Sequence, residues 1–267
     1  SAGPRRVEEE MVNVAASRPA YLDCAASTPM REAAIAAMMP YLRDEFGNPS
    51  GAHRMARTSR AAIDDAREVV ADHLGFGPHD IVFTGGGTEA DNLAIAGVVA
   101  ATGGVAVCPA TEHHAVLHPV EAVGGRISRV RADGSVDLDH LAELLDDDVA
   151  IVSVMSVNNE SGQIADLRAV RDVVDSHAPG AVLHTDAVQA VNWLDPRTAF
   201  ECVDAVSLSG HKFGGPKGVG VLAVRGGVEL TAQILGGGQE AERRSGTHNT
   251  AGIVAFGAAI AELGEQR

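Results

Sequence analysis

The sequence predicts an α/β fold: a three-layer, doubly wound and mostly parallel sheet with helices on both faces. Short runs rich in valine, isoleucine and leucine alternate with segments of helical periodicity along nearly the whole chain. The 267 residues, 45% of them hydrophobic, are enough to bury one large core. Strands are predicted near residues 81–84, 105–108, 127–130, 150–155, 181–185 and 204–208, and helices near 31–42, 58–74, 89–101, 138–145 and 167–177.

Three further segments complete the predicted organisation. The run 218–225 follows the strand before it too closely for a helical crossover, so we expect it to pair antiparallel. Residues 1–18 are polar and charged and predict a flexible N-terminal extension, which leaves 19–267 as one large domain with its N-terminal segment. An apolar helical pattern covers residues 253–263.

Composition and charge narrow the classes of partner. The formal net charge of −15, from 36 acidic and 21 basic side chains, disfavours non-specific binding to nucleic acids or anionic membranes. The sequence contains no run of 18 or more apolar residues and no secretory leader, so we expect neither membrane insertion nor export, and a cytoplasmic protein. Its three unpatterned cysteines do not form a disulfide framework, which agrees with a reducing compartment.

Lys212 lies where an apolar strand gives way to a glycine-rich turn. Most lysines are solvated, and this one alone would be interpreted as a polar residue after a strand. A lysine that attacks an aldehyde must be neutral part of the time, and removal from water beside other cationic or polar groups lowers its pKa enough for that. The position of Lys212 fits such a nucleophile.

A second apolar strand ends on Asp186. Ligands of α/β sheets bind beyond the carboxyl ends of the strands, so this carboxylate is expected to face a ligand rather than the core. Pyridoxal phosphate needs both groups: a lysine for its aldehyde and an acid opposite its pyridine nitrogen. The pair formed by Lys212 and Asp186 therefore predicts this cofactor.

The glycine-rich segment 84–92 is typical of a strand end, a turn and a helix start. Backbone amides and the helix dipole suit a phosphate at such a position. The segment lacks the lysine of a Walker motif and the spacing of a dinucleotide fingerprint. We therefore predict a phosphate cup, formed by Gly87 and Thr88, rather than a nucleotide site.

Six motifs occur in order along the chain: Thr84-Gly-Gly-Gly-Thr-Glu-Ala-Asp-Asn92, Thr111-Glu-His-His114, Val157-Asn-Asn-Glu160, His184-Thr-Asp-Ala-Val-Gln189, Ser209-Gly-His-Lys212 and Arg244-Ser-Gly-Thr247. Together they resemble the cysteine desulfurases, which are class V, fold-type I enzymes that use pyridoxal phosphate. The resemblance runs from Tyr21 through residues 47–53 to about Gly257, nearly the whole chain.

The resemblance implies a role for each of the matching residues. Lys212 would carry the cofactor as a Schiff base, Asp186 would face the pyridine nitrogen, and Gln189 would approach the phenolic oxygen. Asn159 would lie near that oxygen and near the substrate carboxylate. Thr247 would reach the phosphate from a neighbouring subunit, which implies a homodimer. The other phosphate-binding residues would be Gly87, Thr88, Ser209 and His211.

By the same resemblance, His113 would stack on the cofactor ring and act as an acid or base during substrate deprotonation. Without the resemblance, the simpler interpretation of His113 would be a histidine at the start of a surface helix. We expect His114 and His118 to be residues of that kind. We predict no zinc site, because the spacing of these histidines matches no zinc motif and one turn of helix cannot direct all three at one ion.

The chain departs from the family pattern in two ways. Family members take sulfur from the substrate with a loop cysteine in the C-terminal part of the sequence, and nothing here matches that loop. We expect Cys108 and Cys202 to be buried structural thiols and Cys24 to lie near the Ala-Ala-Ser-Thr turn. The resemblance also implies that the smaller C-terminal domain of fold-type I enzymes is absent from this sequence, so we expect either a domain cut from a desulfurase or a natural short form.

For the complete enzyme, the resemblance implies conversion of L-cysteine to L-alanine, with the sulfur passed as a persulfide to iron–sulfur cluster assembly or thiolation partners. Two alternatives remain open. Another class V enzyme, such as a selenocysteine lyase, an epimerase or an aminotransferase, would keep the cofactor without the persulfide step. A non-catalytic partner protein would keep the fold or the cofactor, although it has no physical need for Lys212, Asp186, Gln189 and His113 together.

Overall fold

Residues 20–265 are the part of the chain that the computed structural model describes, and the predicted extension, 1–18, lies outside it. The described residues form eight α-helices and one seven-stranded sheet. The strands are β1 (Ile81–Thr84), β2 (Val105–Pro109), β3 (Arg126–Ser128), β4 (Val149–Ser153), β5 (Val182–Asp186), β6 (Ala205–Ser209) and β7 (Gly220–Val224). The helices are α1 (Glu32–Arg43), α2 (Arg54–Leu74), α3 (Gly87–Thr102), α4 (His114–Ala122), α5 (Leu138–Leu144), α6 (Leu167–His177), α7 (Pro196–Ala199) and α8 (Thr250–Glu265).

The strand order across the sheet is β1-β7-β6-β5-β4-β2-β3. Strands β2 to β6 pair in parallel, whereas β7 lies between β1 and β6 and runs antiparallel to both. The register of β6 and β7 pairs Ser209 with Gly220 and Val206 with Ala223. The connection between these strands carries no α-helix, so the chain returns antiparallel, which confirms the prediction for residues 218–225.

Apolar side chains pack on both faces of the sheet. Helices α3 and α4 cover one face, which includes Val82 and Ile151. Helices α2, α5, α6 and α8 cover the other face, which includes Phe83 and Val152. Since consecutive residues of a strand point to opposite faces, the complete burial of both Ile151 and Val152 requires helices on both sides. The predicted three-layer, mostly parallel architecture is confirmed.

Three phenylalanines connect helix α8 to the edge of the sheet that carries Lys212. The ring of Phe256 packs edge-on against Phe83, with centroids 6.4 Å apart, and against Phe213, with centroids 5.0 Å apart. All three side chains are buried. Because Phe213 directly follows Lys212 in the chain, helix α8 supports the turn on which the lysine lies.

Two helices differ from the sequence prediction. Helix α2 begins at Arg54 rather than near residue 58, because His53 Nδ1 accepts a hydrogen bond from the Ala56 amide at 3.2 Å and caps the helix. A helix start was expected at the histidines 113–118, but helix α4 is missing from the helices predicted by periodicity, since its two histidines and Pro119 interrupt the apolar pattern. Among residues 20–265, no helix combines the length and the apolarity that a membrane span requires.

Candidate active site

A cleft of about 910 Å³ opens at the carboxyl ends of the parallel strands, where α/β proteins bind their ligands. Its volume lies within the usual range for small-molecule sites. Of the ten residues predicted to form the site, all but Thr247 line this cleft. Those nine are Gly87, Thr88, His113, Asn159, Asp186, Gln189, Ser209, His211 and Lys212.

Lys212 ends a short 3-10 turn, Gly210–Lys212, that follows strand β6 directly. Its Nζ donates a hydrogen bond to the carbonyl oxygen of Ala25 at 2.6 Å. Burial lowers the pKa of Lys212, although the charges of Asp186 and Asp23 oppose that effect. A half-buried amine with a lowered pKa is neutral more often than a solvated lysine, which suits a nucleophile.

Asp186 is the last residue of strand β5 and is 4% exposed. Its Oδ1 accepts a hydrogen bond from the Val188 amide at 2.9 Å. Burial raises the pKa of Asp186, while the Val188 amide and the charges of His113 and Lys212 oppose the rise. A cationic ring nitrogen facing this carboxylate would supply the counter-charge that the buried position needs.

The segment 25–28 crosses the lysine turn and is bonded to it. The carbonyl oxygen of Ala25 accepts hydrogen bonds from Lys212 and, at 2.8 Å, from Gln189 Nε2. Thr28 Oγ1 donates to the His211 carbonyl at 2.9 Å and accepts from the Gly214 amide at 2.8 Å. A backbone carbonyl leaves no residue-type signature, so sequence reasoning could not find this contact between distant segments.

The phosphate cup lies at the start of helix α3, which begins with Gly87. Gly86 precedes the helix with a φ of 154°, a conformation that favours glycine. A Cβ on Gly87 would come 2.8 Å from Val188 Cγ2, so only a glycine lets the helix start approach the residues after β5 this closely. The amides in the first turn of a helix have no partner within the helix, so this helix start suits an anion such as a phosphate.

His113 caps helix α4, because its Nδ1 accepts a hydrogen bond from the Ala115 amide at 3.1 Å. With Nδ1 used as an acceptor, the proton of the neutral ring lies on Nε2, which remains available to the cleft. The exposed rings of His114 and His118 stack on each other with centroids 4.7 Å apart. His113 therefore differs from its neighbours in having a fixed orientation at the cleft.

A buried polar cluster that the sequence did not predict lies behind Asp186. The ring of His184 bridges Ser153 Oγ and Ser207 Oγ, each 2.8 Å from a ring nitrogen, and burial lowers the pKa of His184 to about 3. Asp91 Oδ1 lies 3.8 Å from His184 Nε2, and burial and the charge of Asp186 raise the pKa of Asp91 well above its usual value. His184 shares a strand face with Asp186 two residues away, which is the signal that could have indicated this cluster.

Thr247 and the three cysteines do not line the cleft. Thr247 is exposed in the 236–247 loop. Cys108 is buried, as predicted, whereas Cys202 is half-buried and Cys24 is exposed. Within residues 20–265, no cysteine lines the cleft.

Comparison with known proteins places this chain in a family. A family profile described as aminotransferase class-V matches residues 20–267. The cysteine desulfurase IscS of Dictyoglomus turgidum is 42% identical over 251 residues, and the IscS-like cysteine desulfurase of Mycobacterium tuberculosis is 43% identical over 254 residues. These alignments cover 91% and 90% of this chain but 63% and 64% of the relatives, so the chain spans less than two thirds of their length.

Solved structures share the same architecture. A NifS-like protein superposes with a TM-score of 0.87 at 34% identity, covering 91% of this chain and 69% of that protein. A structure of SspA in complex with cysteine superposes with a TM-score of 0.84 at 36% identity, covering 90% of this chain and 72% of the other.

Proposed function

We propose that this chain, which belongs to the class-V aminotransferase family of pyridoxal-phosphate enzymes, forms the cofactor-binding part of a cysteine desulfurase. The reaction would convert L-cysteine and an enzyme thiol into L-alanine and an enzyme persulfide. The S–H of the thiol and the C–S bond of the substrate are broken, and a C–H and an S–S bond are formed. No external oxidant or reductant is required.

The observation that carries this proposal is the placement of Lys212 and Asp186 in one cleft beside a glycine-rich helix start. The three features match the aldehyde, the ring nitrogen and the phosphate of pyridoxal phosphate. The lowered pKa of Lys212 and the counter-charge that buried Asp186 requires both fit this cofactor. When bound, the cofactor supplies an electron sink for the carbanion that forms at the substrate Cα.

Each residue of the cleft then has a distinct task. Lys212 would hold the cofactor aldehyde, Asp186 would keep the ring nitrogen protonated, and Gln189 would approach the phenolic oxygen. Asn159 would orient that oxygen and the substrate carboxylate. The phosphate would be bound by Gly87, Thr88, Ser209 and His211.

Two side chains of the cleft would move protons. The amine of Lys212 would take the Cα proton of the substrate, because its half-buried position lowers its pKa. The Ala25 carbonyl would hold this amine in place through the hydrogen bond it accepts from Nζ. His113 would stack on the ring and transfer a proton through Nε2, since Nδ1 is used to cap helix α4.

The oligomeric state, partners and compartment form part of the same proposal. Thr247 is exposed outside its own cleft, which supports a homodimer in which it reaches the phosphate of the other subunit. The thiol would come from a loop of the complete protein, and the sulfur would pass to an iron–sulfur cluster scaffold or another sulfur acceptor. Exposed Cys24 is compatible with a reducing cytoplasm.

The lysine assignment can be tested sharply because the chain contains two lysines, Lys212 and Lys217. Borohydride reduction of the holoprotein followed by peptide mass spectrometry should find the pyridoxyl group on Lys212. Lys212→Ala should lose the visible absorption of the bound cofactor, whereas the matched variant Lys217→Arg should keep it. A pyridoxyl group on Lys217 would contradict the assignment.

The reaction is tested separately by adding L-cysteine to the full-length holoprotein and measuring alanine and persulfide. We expect the two products in equal amounts. A change in cofactor absorption without alanine would instead favour another class-V enzyme, and a protein that binds no cofactor would favour a non-catalytic partner.

A further inference from the structure

Glu240 is a buried carboxylate outside the cleft, with its side chain 1% exposed. Arg67 donates to both of its oxygens, from NH2 to Oε1 at 2.8 Å and from NH1 to Oε2 at 2.9 Å. The Phe83 amide donates to Oε2 at 2.9 Å, and His248 Nε2 donates to Oε1 at 2.7 Å. Four hydrogen bonds thus satisfy both oxygens of a charge that would otherwise be costly to bury.

The three partners of Glu240 belong to different parts of the core. Arg67 lies on helix α2, Phe83 lies on strand β1, and His248 lies two residues before the first residue of helix α8. The guanidinium of Arg67 is itself fixed, since it donates to the Ile81 carbonyl at 2.6 Å and lies 4.8 Å from the centre of the Phe83 ring. Glu240 therefore joins the 236–247 loop to a rigid part of the molecule.

The backbone at Glu240 adopts a conformation that its sequence disfavours. Glu240, Ala241 and Glu242 have φ values of 51°, 55° and 66°, so three consecutive residues with side chains occupy the left-handed region. Such a conformation is strained and persists where surrounding contacts impose it. The buried contacts of Glu240 supply that constraint.

Further hydrogen bonds and an ion pair fix the far end of the loop. The Gly246 amide donates to Gln239 Oε1 at 2.8 Å, and the Ser245 amide donates to the Ile234 carbonyl at 3.0 Å. Arg244 Nε pairs with Glu89 Oε1 at 2.7 Å, next to the phosphate cup of its own subunit. Thr247 follows these contacts, is exposed, and does not line its own cleft.

We infer that Glu240 is a positioning residue that holds the 236–247 loop in its strained turn so that Thr247 can complete the cofactor site of a second copy of the chain. This inference rests on the proposed function, in which the cofactor phosphate is shared across a homodimer. Glu240, which lies outside the cleft, would thus affect cofactor binding in the other subunit. A residue that only stabilises its own fold would have no such effect on its partner.

The test uses mixed dimers of the full chain, co-expressed with two affinity tags, in which only one subunit keeps Lys212. In the first dimer, one subunit carries both Lys212→Ala and Glu240→Gln and the other is wild type. The site of the wild-type subunit, which keeps Lys212, then receives the altered loop of its partner. In the second dimer, one subunit carries Lys212→Ala and the other carries Glu240→Gln. The site of the subunit that keeps Lys212 then receives the wild-type loop of its partner. Pyridoxal phosphate is titrated by absorbance, and borohydride capture on Lys212 reports the occupied site.

The reference is a dimer of one Lys212→Ala subunit and one wild-type subunit. We expect the first dimer to bind the cofactor about tenfold more weakly than this reference, because Glu240→Gln breaks a network of charge-assisted hydrogen bonds. The second dimer should bind it normally. Weaker binding only in the second dimer, or normal binding in both, would overturn the inference. Glu242→Gln, an exposed residue of the same turn, serves as the matched control and should have no effect in either arrangement.

Two further variants keep the outcome decisive. His248→Gln replaces the imidazole that donates to Glu240 by an amide, which can still donate a hydrogen bond. It should therefore weaken cofactor binding in the other subunit, as Glu240→Gln does, but by a smaller factor. Thr247→Ala in the same mixed dimers tests the shared site itself. An effect of Thr247→Ala without one of Glu240→Gln would refute the positioning role alone, whereas no effect of Thr247→Ala would refute both the shared site and the inference.

Discussion

Replacing Glu240 by glutamine should weaken the fold at neutral pH and much less in acid. Burial alone would raise the pKa of Glu240, but hydrogen bonds from His248 and Arg67 and the charge of Arg67 outweigh it and lower the pKa from 4.5 to about 2. A carboxylate whose pKa is lowered on folding stabilises the native state above its unfolded-state pKa. This contribution is lost as the pH falls toward the folded-state value.

The magnitude follows from the two pKa values. The difference between 4.5 and about 2 corresponds to about 3 kcal/mol at pH 7, because one pKa unit is equivalent to about 1.4 kcal/mol. At pH 3 about 1.5 kcal/mol remains, since the unfolded-state carboxyl is then protonated while the folded-state one is still mostly ionised. We therefore expect Glu240→Gln to be about 3 kcal/mol less stable than wild type at pH 7, and about 1.5 kcal/mol less stable at pH 3.

The assay is urea-induced unfolding without added cofactor, followed by circular dichroism between pH 3 and pH 7. Glu242→Gln should follow the wild type at every pH, because Glu242 is exposed on the same turn. The reasoning is refuted if the difference between Glu240→Gln and wild type is the same at pH 3 as at pH 7. Such a result would mean that side-chain shape, rather than the charge of Glu240, stabilises this region.

Three further outcomes can be measured with single substitutions. Gly87→Ala should weaken cofactor binding about tenfold in an absorbance titration, because the added Cβ would come 2.8 Å from Val188 Cγ2, whereas Gly180→Ala, with open space around it, should bind normally. Asp91→Asn should become more stable relative to wild type as the pH rises above about 4, the usual pKa of an aspartate. Burial raises the pKa of Asp91, so the wild-type fold loses stability as the pH rises from the unfolded-state pKa toward the raised folded-state value. An Asp91→Asn variant that becomes less stable than wild type as the pH rises, measured by urea unfolding, would contradict this. Phe256→Ala should lower the unfolding free energy by about 3–5 kcal/mol, since it removes a fully buried ring, and a loss below 1 kcal/mol would mean that the core collapses into the space.

The sequence was sufficient for the parts of the fold and site that depend on local pattern. Strands appear where apolar runs occur, and Lys212 and Asp186 follow strands whose carboxyl ends meet at one edge. The extent of helix α4 was not predicted, although a helix start was expected at its histidines, because its capping residue, His113, is not a usual N-cap and because Pro119 interrupts the apolar pattern. A capping interaction is local, but a histidine carries no clear signal for it.

Contacts between distant segments were not predictable in the same way. Lys212 meets the Ala25 carbonyl across 187 residues of chain, and Arg67 meets Glu240 across 173. Thr247 was expected to reach a neighbouring subunit, but nothing in the sequence of the 236–247 loop indicates that three of its non-glycine residues adopt the left-handed conformation. Such strain is imposed by buried contacts, and only the fold brings those contacts together.

The sequence by itself determined which chemical groups this protein has and in what order, because each motif combines a short segment of backbone with a fixed residue type. The tertiary structure decided what those groups can do. Burial lowers the pKa of Lys212 and raises the pKa of Asp186, while Glu240 stays ionised because Arg67 and His248 surround it. A pKa depends on desolvation and on charges within a few ångströms, and these neighbours are set by the folded arrangement rather than by position along the chain.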